Sequence, residues 1–330
     1  MANILVTGGG GFLGRHIVNL LLERGDSVSI FNRSTHKDLE DRGVTCFTGD
    51  LREYDSVRKA VEGKDTVFHV AAKAGVWGPI KDYYGINCTG SENILNACKE
   101  FGVKKLIYTS SPSVAFGTEA IENGDESLPY PDAYLTSYPE TKAKAEKLIL
   151  SANSENLLTC ALRPHLIWGP GDNHLIPRVL ETARSGKLMQ VGDGSNLVDI
   201  TYVENGAKAH IQAEEALKLG SPVAGQAYFI GDQKPVNLWQ WINDLLKAAG
   251  VTPVTKSISY KKAKTAGAIL ECIYKVLPLS GEPRMTRFVA AQLAKSHYFS
   301  HDKAKEHFGF DPQIDNEEGM KRTLAWLKEG

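Results

Sequence analysis

A tyrosine and a lysine four positions apart, Tyr138 and Lys142, occur in the stretch TSYPETKAKAE. Thr136 or Ser137 can cap a helix that starts here, and Pro139 is tolerated in its first turn. On such a helix Tyr138 and Lys142 lie on one face, one turn apart. A free tyrosine has a pKa of about 10, and a neighbouring ammonium favours the phenolate. We therefore expect this pair to move protons near neutral pH, with Tyr138 as the acid/base.

A third polar group would complete this chemistry by holding a substrate carbonyl oxygen. The segment YTSSPSV follows an apolar run, so its hydroxyl groups lie at the carboxyl end of a strand. We expect Ser111 to bind the carbonyl, with Ser110 as the next choice. Taken alone, a tyrosine and a lysine at this spacing are common on solvated helix faces. Their position after a glycine-rich turn and the AA and TSS strand ends, in this order, favours catalysis.

The glycine-rich turn VTGGGGFLGRH contains Gly8, Gly11 and Gly14 at intervals of three residues. It lies between the first predicted strand and the first predicted helix, where a dinucleotide fold requires it. Glycines permit a tight turn and a close approach of backbone N–H groups to a pyrophosphate, and the helix N-terminus adds partial positive charge. The turn therefore predicts a dinucleotide cofactor.

The end of the second predicted strand distinguishes the two nicotinamide cofactors. An NAD site usually holds an acid here, which bonds the ribose hydroxyls. This chain has Asn32 at that position, followed by Arg33, whose charge and forked donors suit a 2′-phosphate. We therefore expect NADP, with NAD as the alternative. Asp50, after the third strand, is expected to bond the adenine amine, and the segment HVAAK, residues 69–73, to line the cofactor.

The elements that must position these residues alternate regularly through the first half of the chain. Apolar runs such as NILVTGG and DTVFHVAA predict buried strands, and DYYGINCTGSENILNACKEFG predicts one long helix. This alternation predicts an α/β fold with a Rossmann-type doubly wound parallel sheet. The rhythm loosens after residue 168, although AYFIG predicts a later strand. We predict a dinucleotide-binding domain over residues 1–168 and a smaller, mostly helical substrate-binding region over 169–330, partly interleaved with the sheet domain.

The composition is that of a globular protein and excludes several classes of function. Of its 330 residues, 42% are hydrophobic and 23% charged, and a formal net charge of −1 without a strong basic run argues against nucleic acid as a partner. The five cysteines form no CxxC pair and the nine histidines are scattered, so we expect neither disulfides nor a metal site. The start, MANILVTGG, lacks a signal-peptide pattern, so we expect a cytoplasmic protein.

The most apolar helical stretch is AGAILECIYKVLPL, residues 266–279. Glu271 and Lys275 interrupt it, and it is too short to span a bilayer. We expect no transmembrane segment and a lid or packing helix here. The alternative is a surface that meets a membrane or a long acyl substrate, which would allow peripheral membrane contact.

These motifs resemble the extended short-chain dehydrogenases/reductases, and within them the 3β-hydroxysteroid dehydrogenase group, over nearly the whole chain. The supporting stretches include YTSSPSVAFG, SYPETKAKAEKLIL, LRPHLIWGPGD and VDITYVENGAKAHI. FNRS, AAKAGVWG, VGDGSN and GEPRMTRF are similar to the bacterial 2-alkyl-3-oxoalkanoate reductases of long-chain olefin synthesis. The acid that is usual after the second strand of the steroid enzymes is missing, which argues against an NAD preference.

The resemblance implies hydride transfer to or from nicotinamide C4, with Tyr138 as acid/base. Lys142 would bond the nicotinamide ribose, Ser111 would orient the carbonyl, and the helices near 83–101 and 139–152 would form a homodimer. The expected cofactor-binding residues lie at the turn and the strand ends: Gly8, Gly11, Phe12, Leu13, Gly14, Asn32, Arg33, Asp50, Leu51, Ala71, Ala72, Lys73, Tyr138, Lys142, Pro164 and Ile167.

The leading hypothesis is the reduction of a hydrophobic β-keto acid, long-chain and 2-alkylated, to the β-hydroxy acid. Candidate substrate residues are Lys73, Ser111 and His165, with the Lys73 ammonium binding the carboxylate; alternatively, Lys73 is a surface lysine or a cofactor contact. Rival hypotheses are a sterol or steroid 3-hydroxyl dehydrogenase, a nucleotide-sugar epimerase or dehydratase, and an inactive cofactor-binding sensor. The apolar character of residues 257–295 argues against a nucleotide-sugar site, and the retention of all three catalytic candidates argues against the sensor.

Overall fold

The structure is a computed structural model that describes residues 1–277, 279 and 281–329. Pro278, Ser280 and Gly330, which fall within the predicted substrate-binding region, lie outside the described residues. The strands are β1 Asn3–Thr7, β2 Ser27–Asn32, β3 Thr45–Thr48, β4 Thr66–His69, β5 Lys105–Thr109, β6 Ile121–Gly124, β7 Leu158–Pro164, β8 Ile167–Trp168, β9 Gln190–Val191, β10 Leu197–Val198, β11 Thr201–Tyr202, β12 Gln226–Ile230, β13 Val236–Asn237, β14 Ser257–Ile258 and β15 His297–Phe299.

The α-helices are α1 Phe12–Glu23, α2 Lys37–Glu40, α3 Tyr54–Val61, α4 Ile80–Tyr83, α5 Gly90–Glu100, α6 Ser137–Ser151, α7 Leu175–Arg184, α8 Val203–Ala216, α9 Leu238–Ala248, α10 Tyr260–Val276, α11 Arg287–Ala294, α12 Asp302–Phe308 and α13 Asn316–Glu329. A π-helix, Tyr84–Thr89, connects α4 to α5, and a 3₁₀ turn, Pro112–Val114, follows β5. Among the described residues, no helix combines the length and apolar character that crossing a bilayer would require.

Seven parallel strands form the central sheet, in the order β12-β7-β5-β4-β1-β2-β3. The predicted Rossmann-type fold is therefore confirmed. The strand order reverses between β1 and β4, and ligands bind open α/β sheets in the crevice at the carboxyl ends of such a pair. Thr7 at the end of β1 lies beside both Phe31 and His69, so three strands end at this crevice. The late strand β12, predicted from AYFIG, forms the edge beside β7.

Alternation along the strands fills both faces of the sheet. In β1, Ile4 and Val6 contribute to one apolar core and Leu5 to the other. Helices α1, α8 and α12 cover the first face, and α3, α5 and α6 cover the second. Both faces are buried, which explains why these strands read as continuous apolar runs.

A third core lies in the C-terminal part of the chain and includes Trp168, Trp239 and Trp241. Helices α7, α9 and α10 contribute residues to this core, in agreement with the mostly helical character predicted for the region. A small sheet with the order β13-β10-β15-β6 lies at its side. Two of these strands, β6 and β15, come from segments that sequence periodicity does not mark, because each is four residues or fewer.

The predicted long helix after β4 is interrupted by the π-helix, which adds one residue to a turn. The π-helix contains Asn87, whose side chain is buried. Its amide accepts from Lys73 N at 2.7 Å and donates to Lys73 O at 3.1 Å and to Thr141 Oγ1 at 3.0 Å. This helix therefore fastens the segment after β4 to α6, the helix that carries Tyr138 and Lys142.

Candidate active site

The glycine turn connects β1 to α1 and leaves the start of the helix open. Gly8 has a φ of 69°, which favours glycine, and a Cβ on Gly14 would lie 2.1 Å from Gly8 O. No side chain caps α1, whose N-cap is Gly11. The first N–H groups of a helix have no intrahelical acceptor, so those of Phe12, Leu13 and Gly14 can serve an anion.

Asn32, at the end of β2, contacts this turn: its Oδ1 accepts from Gly10 N at 3.2 Å. Arg33, the next residue, is exposed. His36 packs on Gly10, where a Cβ would approach its Nε2 to 2.0 Å, and Arg15 donates to His36 Nδ1 at 3.4 Å. Since Nδ1 accepts, Nε2 carries the proton. That nitrogen is buried without a hydrogen-bond partner among the described residues.

Arg15 and His36 are site residues that sequence reasoning missed. Arg15 also donates to Gly10 O at 3.1 Å and pairs with Asp38. A cation directly after the last glycine of the motif and a histidine in a short loop carry no distinctive sequence signal. Only the return of the β2–α2 loop onto the glycine turn brings them together.

Asp50 and Leu51 follow β3 beside this region. The Asp50 carboxylate is bound by Arg52, with Nη2–Oδ2 at 2.5 Å, and this bond lowers the pKa of Asp50. Arg33 adds to the lowering, which places its guanidinium within electrostatic range of Asp50. Leu51 is buried and packs on Gly90, where a Cβ would approach it to 2.8 Å. The expected bond from Asp50 to an adenine amine stays a prediction. The amine would have to compete with Arg52 for the Asp50 carboxylate.

A buried polar network fixes the end of β4 against β1. His69 Nδ1 lies 2.8 Å from Thr7 Oγ1, and Nε2 lies 2.9 Å from Ser91 Oγ. Burial lowers the pKa of His69 to about 3, so the ring is neutral at physiological pH. Ala71 N donates to Thr7 Oγ1 at 3.2 Å, and Ala71 passes 3.0 Å from the Cβ that Gly8 lacks. Ala71 thus approaches the glycine turn closely, as a lining residue should, while Ala72 is exposed.

Lys73 follows with its backbone held by Asn87 and its side chain 29% exposed. The ammonium lies 3.9 Å from Asp82 Oδ2 and 5.2 Å from the centroid of the Tyr83 ring. Burial, Glu282 and then Tyr138 raise the pKa of Tyr83 to about 12. Tyr83 is thus within electrostatic range of Tyr138, and the Lys73 ammonium lies beside the Tyr83 ring.

Ser111 and Tyr138 face each other across the end of β5. Ser111 Oγ accepts from Ser113 N at 3.3 Å and from Ser113 Oγ at 2.9 Å, which leaves its own hydrogen to donate. Burial raises the pKa of Tyr138, and the nearby Ser111 hydroxyl opposes this rise. Ser110, the second choice, is buried with its hydroxyl unpartnered among the described residues. The structure therefore brings Ser111 and Tyr138 together.

Lys142 is buried, at 2% exposure, beneath this pair. Its Nζ donates to Thr109 O at 2.6 Å and lies 4.1 Å from the centroid of the Tyr108 ring. Burial lowers the pKa of Lys142 to about 7, although Glu146 opposes this. The sequence argument assumed a full ammonium that lowers the tyrosine pKa. Instead, desolvation dominates at both residues, because both side chains lie among protein atoms.

Helix α6 is held in place by a buried ion pair one turn beyond Lys142. Arg163 Nη2 lies 2.6 Å from Glu146 Oε1, and both side chains are almost fully buried. Burial alone would raise the pKa of Glu146, but the bonds with Arg163 outweigh it and the pKa is lowered. The pair connects α6 to β7 and fixes the height of Tyr138 and Lys142 above the sheet.

Pro164, His165 and Ile167 surround the end of β7. Pro164 is buried beside Ile230 on β12, and Ile167 is half-buried. His165 is 8% exposed, and its Nε2 lies 2.6 Å from His297 Nδ1. This contact turns its ring into the protein, so the structure offers no support for His165 as a substrate residue. A partner 132 residues away in the sequence sets the direction of this side chain, which local sequence patterns do not reveal.

These features fit a nicotinamide dinucleotide. The glycines let the backbone of the turn pack closely, since a Cβ on Gly14 would collide with Gly8 O, and the start of α1 offers free N–H groups. His36 presents a buried, unpartnered donor beside the turn. Lys142 makes one hydrogen bond among the described residues, so further ammonium hydrogens can bond a ribose hydroxyl. The described part of the chain contains no cluster of three or more His, Cys, Asp or Glu residues able to hold a metal ion.

Comparison with known proteins supports the same assignment. Residues 5–261 match the 3-beta hydroxysteroid dehydrogenase/isomerase family. The chain is 47% identical to the 2-alkyl-3-oxoalkanoate reductase of Stenotrophomonas maltophilia (strain K279a), over 98% of each chain. It is 36% identical to the sterol-4-alpha-carboxylate 3-dehydrogenase, decarboxylating, of Mus musculus, over 97% of this chain and 89% of that one.

Among solved structures, MoeE5 in complex with UDP-glucose and NAD has the same fold. It superposes with a TM-score of 0.76 at 24% identity and covers 99% of both chains. The glycine turn at the switch point, the strand-end serine and the tyrosine–lysine helix thus occur in a chain that shares this fold and matches this sequence family. The chain therefore belongs to the 3-beta hydroxysteroid dehydrogenase/isomerase family, and it is an extended short-chain oxidoreductase that acts on CH–OH groups.

Proposed function

We propose that this enzyme uses NADPH to reduce a 2-alkyl-3-oxoalkanoate to the 3-hydroxyalkanoate, with Ser111, Tyr138 and Lys142 as its catalytic residues. The observation that carries the proposal is the meeting of these three residues at the sheet crevice, in a chain 47% identical to a 2-alkyl-3-oxoalkanoate reductase. The bound nicotinamide supplies the hydride.

Reduction needs a proton at the carbonyl oxygen, and Tyr138 is suited to donate it. The raised pKa keeps the Tyr138 phenol protonated before the reaction. Ser111 has a free hydroxyl hydrogen for the carbonyl oxygen, which orients the ketone and stabilises the developing negative charge. When Tyr138 has given up its proton, the Lys142 ammonium stabilises the phenolate. With its pKa at about 7, Lys142 can also release or regain a proton at neutral pH.

The substrates named for these two relatives both carry a carboxylate on the carbon beside the reacting carbon. In a 3-oxoalkanoate it lies one carbon from the ketone, and in a sterol 4-carboxylate it lies one carbon from C3. Lys73 is a suitable anchor for such a group. Its ammonium has a distant ion-pair partner, Asp82 at 3.9 Å, and lies 5.2 Å from the centroid of the Tyr83 ring, whose hydroxyl is within electrostatic range of Tyr138.

Lys73→Met tests this anchor. We expect KM for a β-keto acid to rise about tenfold or more, which is about 1.4 kcal/mol of binding. A ketone of the same length without the carboxylate should be affected far less. Lys81→Met, an exposed lysine on the following helix, is the matched control. An equal loss with both substrates would assign Lys73 to the cofactor or to the fold.

NADP preference is supported by Arg33, an exposed cation that follows β2, and by Asn32, an amide where NAD sites usually hold an acid. Arg33→Ala should weaken NADP(H) binding by about 1.5–3 kcal/mol, the range for a hydrogen bond to a charged group, and barely change NAD(H) binding. Exposed Lys37→Ala is the control for loss of a nearby cation. Wild-type protein that binds both cofactors with equal affinity would refute the preference.

The sterol dehydrogenase hypothesis remains the second candidate because of the 36% identity to a sterol 4-carboxylate enzyme. A panel of 2-alkyl-3-oxo acids, sterol 4-carboxylates and nucleotide sugars, followed by NADPH and NADH absorbance, separates the possibilities. Turnover of the sterol carboxylate at a higher kcat/KM than the acyclic acid would replace the leading proposal.

A further inference from the structure

Helix α10 exposes a concentrated apolar surface. Of the nine large apolar side chains that the described residues expose, five lie between positions 269 and 279, so the exposure is concentrated in one place. They are Ile269, Ile273, Val276, Leu277 and Leu279, with exposures of 39–74%. The opposite side of α10 faces the protein, where Ala263 and Gly267 are buried and Gly267 contacts the start of α11.

The same helix is positively charged on its exposed side. Its four lysines, Lys261, Lys262, Lys264 and Lys275, are all exposed. Glu271, the acid within Tyr260–Val276, is buried and bonded to Arg287 at 2.8 Å. Exposed apolar residues combined with lysines and no exposed carboxylate are the pattern of a helix that lies in a lipid headgroup region.

The C-terminal end of α10 lies beside the candidate active site. The Tyr274 ring packs edge-on against the Trp77 ring, with the ring centroids 6.1 Å apart. Trp77 belongs to the loop that follows Lys73. Tyr83 Oη donates to Trp77 O at 3.0 Å, which ties this loop to Tyr83, the ring beside the Lys73 ammonium. The nearby acid Glu282 is paired with Arg178 at 3.1 Å, so its charge is partly neutralised.

We propose that α10 docks this enzyme on an anionic lipid surface, with the apolar side chains in the headgroup layer and the lysines on lipid phosphates. A bilayer fits this face better than a folded protein does, because the lysines surround the apolar residues without any complementary acid. Docking would place the loop after Lys73 near the membrane, where a long-chain acid with a charged head resides. This consequence rests on the proposed function, whereas the lipid contact itself does not.

Vesicle flotation tests the contact with the full-length chain. The probes are phosphatidylcholine vesicles with and without about 30% phosphatidylglycerol, an anionic lipid whose surface charge attracts basic helices. We expect the wild-type protein to float with the anionic vesicles and to be released by salt. The double variant Ile269→Gln/Val276→Gln should bind about tenfold more weakly or worse, since it loses two exposed apolar side chains. Leu219→Gln, which removes a leucine 68% exposed elsewhere, should bind like wild type.

A charge series separates electrostatic attraction from apolar insertion. Replacement of Lys261, Lys264 and Lys275 by Gln should lower binding to anionic vesicles by about fivefold per lysine, since each lysine near such a surface contributes about 1 kcal/mol. The control replaces three exposed lysines of other elements: Lys59, Lys218 and Lys321.

Turnover of a short, water-soluble β-keto acid should be unchanged in all of these variants, which shows that they fold. Wild-type protein that ignores anionic vesicles, or test variants that bind like their controls, would overturn the proposal. Wild-type self-association that Ile269→Gln/Val276→Gln abolishes, without vesicle binding, would assign the face to a second copy of the chain instead. Failure of the substrate proposal would leave the flotation result unaffected, so the two can be told apart.

Discussion

Burial of the Lys142 ammonium destabilises the folded chain, and Lys142→Met should reveal the size of this effect. Lys142 is 2% exposed and its ammonium is hydrogen-bonded to Thr109 O, while Glu146, the acid one turn away, is paired with Arg163. Burial lowers the pKa of Lys142 from 10.5 to about 7, which corresponds to about 4–5 kcal/mol when the group is protonated in both states.

The sign of the pH dependence follows from proton uptake. Between pH 7 and pH 10.5 the folded chain holds Lys142 mostly neutral, whereas the unfolded chain holds it protonated. Unfolding therefore takes up a proton, and the free energy of unfolding rises with pH through this window. Below pH 7 the full penalty applies, and above pH 10.5 it is gone. Methionine has no such penalty at any pH.

The assay is urea denaturation of the cofactor-free wild-type protein and of Lys142→Met at pH 7, 8, 9 and 10. We expect the methionine variant to be more stable than wild type at pH 7. The loss of the hydrogen bond to Thr109 reduces this advantage by about 1 kcal/mol. Its advantage should shrink by about 3 kcal/mol by pH 10. Lys147→Met, which replaces an exposed lysine of the same helix, should change stability by less than about 0.5 kcal/mol.

A difference between wild type and Lys142→Met that stays constant from pH 7 to pH 10 would refute the argument. It would mean that Lys142 remains protonated in the folded chain, so that Thr109 and the Tyr108 ring compensate its burial. Activity should be lost in the methionine variant in either case, which separates the role of this residue in catalysis from its effect on folding.

Two further predictions concern the reaction and the cofactor turn. Tyr138→Phe should lower kcat by about 10²–10⁴-fold, the usual range for a general acid, with cofactor affinity nearly intact in fluorescence titration; near-normal turnover would remove Tyr138 from the mechanism. Gly14→Ala would bring a Cβ within 2.1 Å of Gly8 O, so we expect dinucleotide binding to fall at least about tenfold, with a lower melting temperature. Gly117→Ala, a glycine with open space around its Cβ position, should alter neither quantity.

The order of motifs along the chain was sufficient to predict the fold and the catalytic candidates. Apolar strands alternating with helices specify a parallel sheet, and parallel strands bring their carboxyl ends to one edge. Gly8, Ala71 and Ser111 each end or follow a strand, so their meeting at the crevice could be expected from local patterns alone. The homodimer through α5 and α6, the domain boundary at residue 168 and the cofactor preference stay predictions.

Only the tertiary structure decided the electrostatics and the direction of individual side chains. The pKa of Lys142 depends on burial beneath Tyr108 and Thr109, and no helical periodicity measures desolvation. His165 faces His297, and His36 packs on Gly10, through contacts between segments distant in the sequence or separated by a loop. The sequence of the π-helix that brings Asn87 to Lys73 resembles that of an ordinary α-helix, because one added residue leaves the hydrophobic pattern almost unchanged. Local sequence determines which elements form, whereas long-range packing sets the dielectric and the hydrogen-bond partners that each group meets.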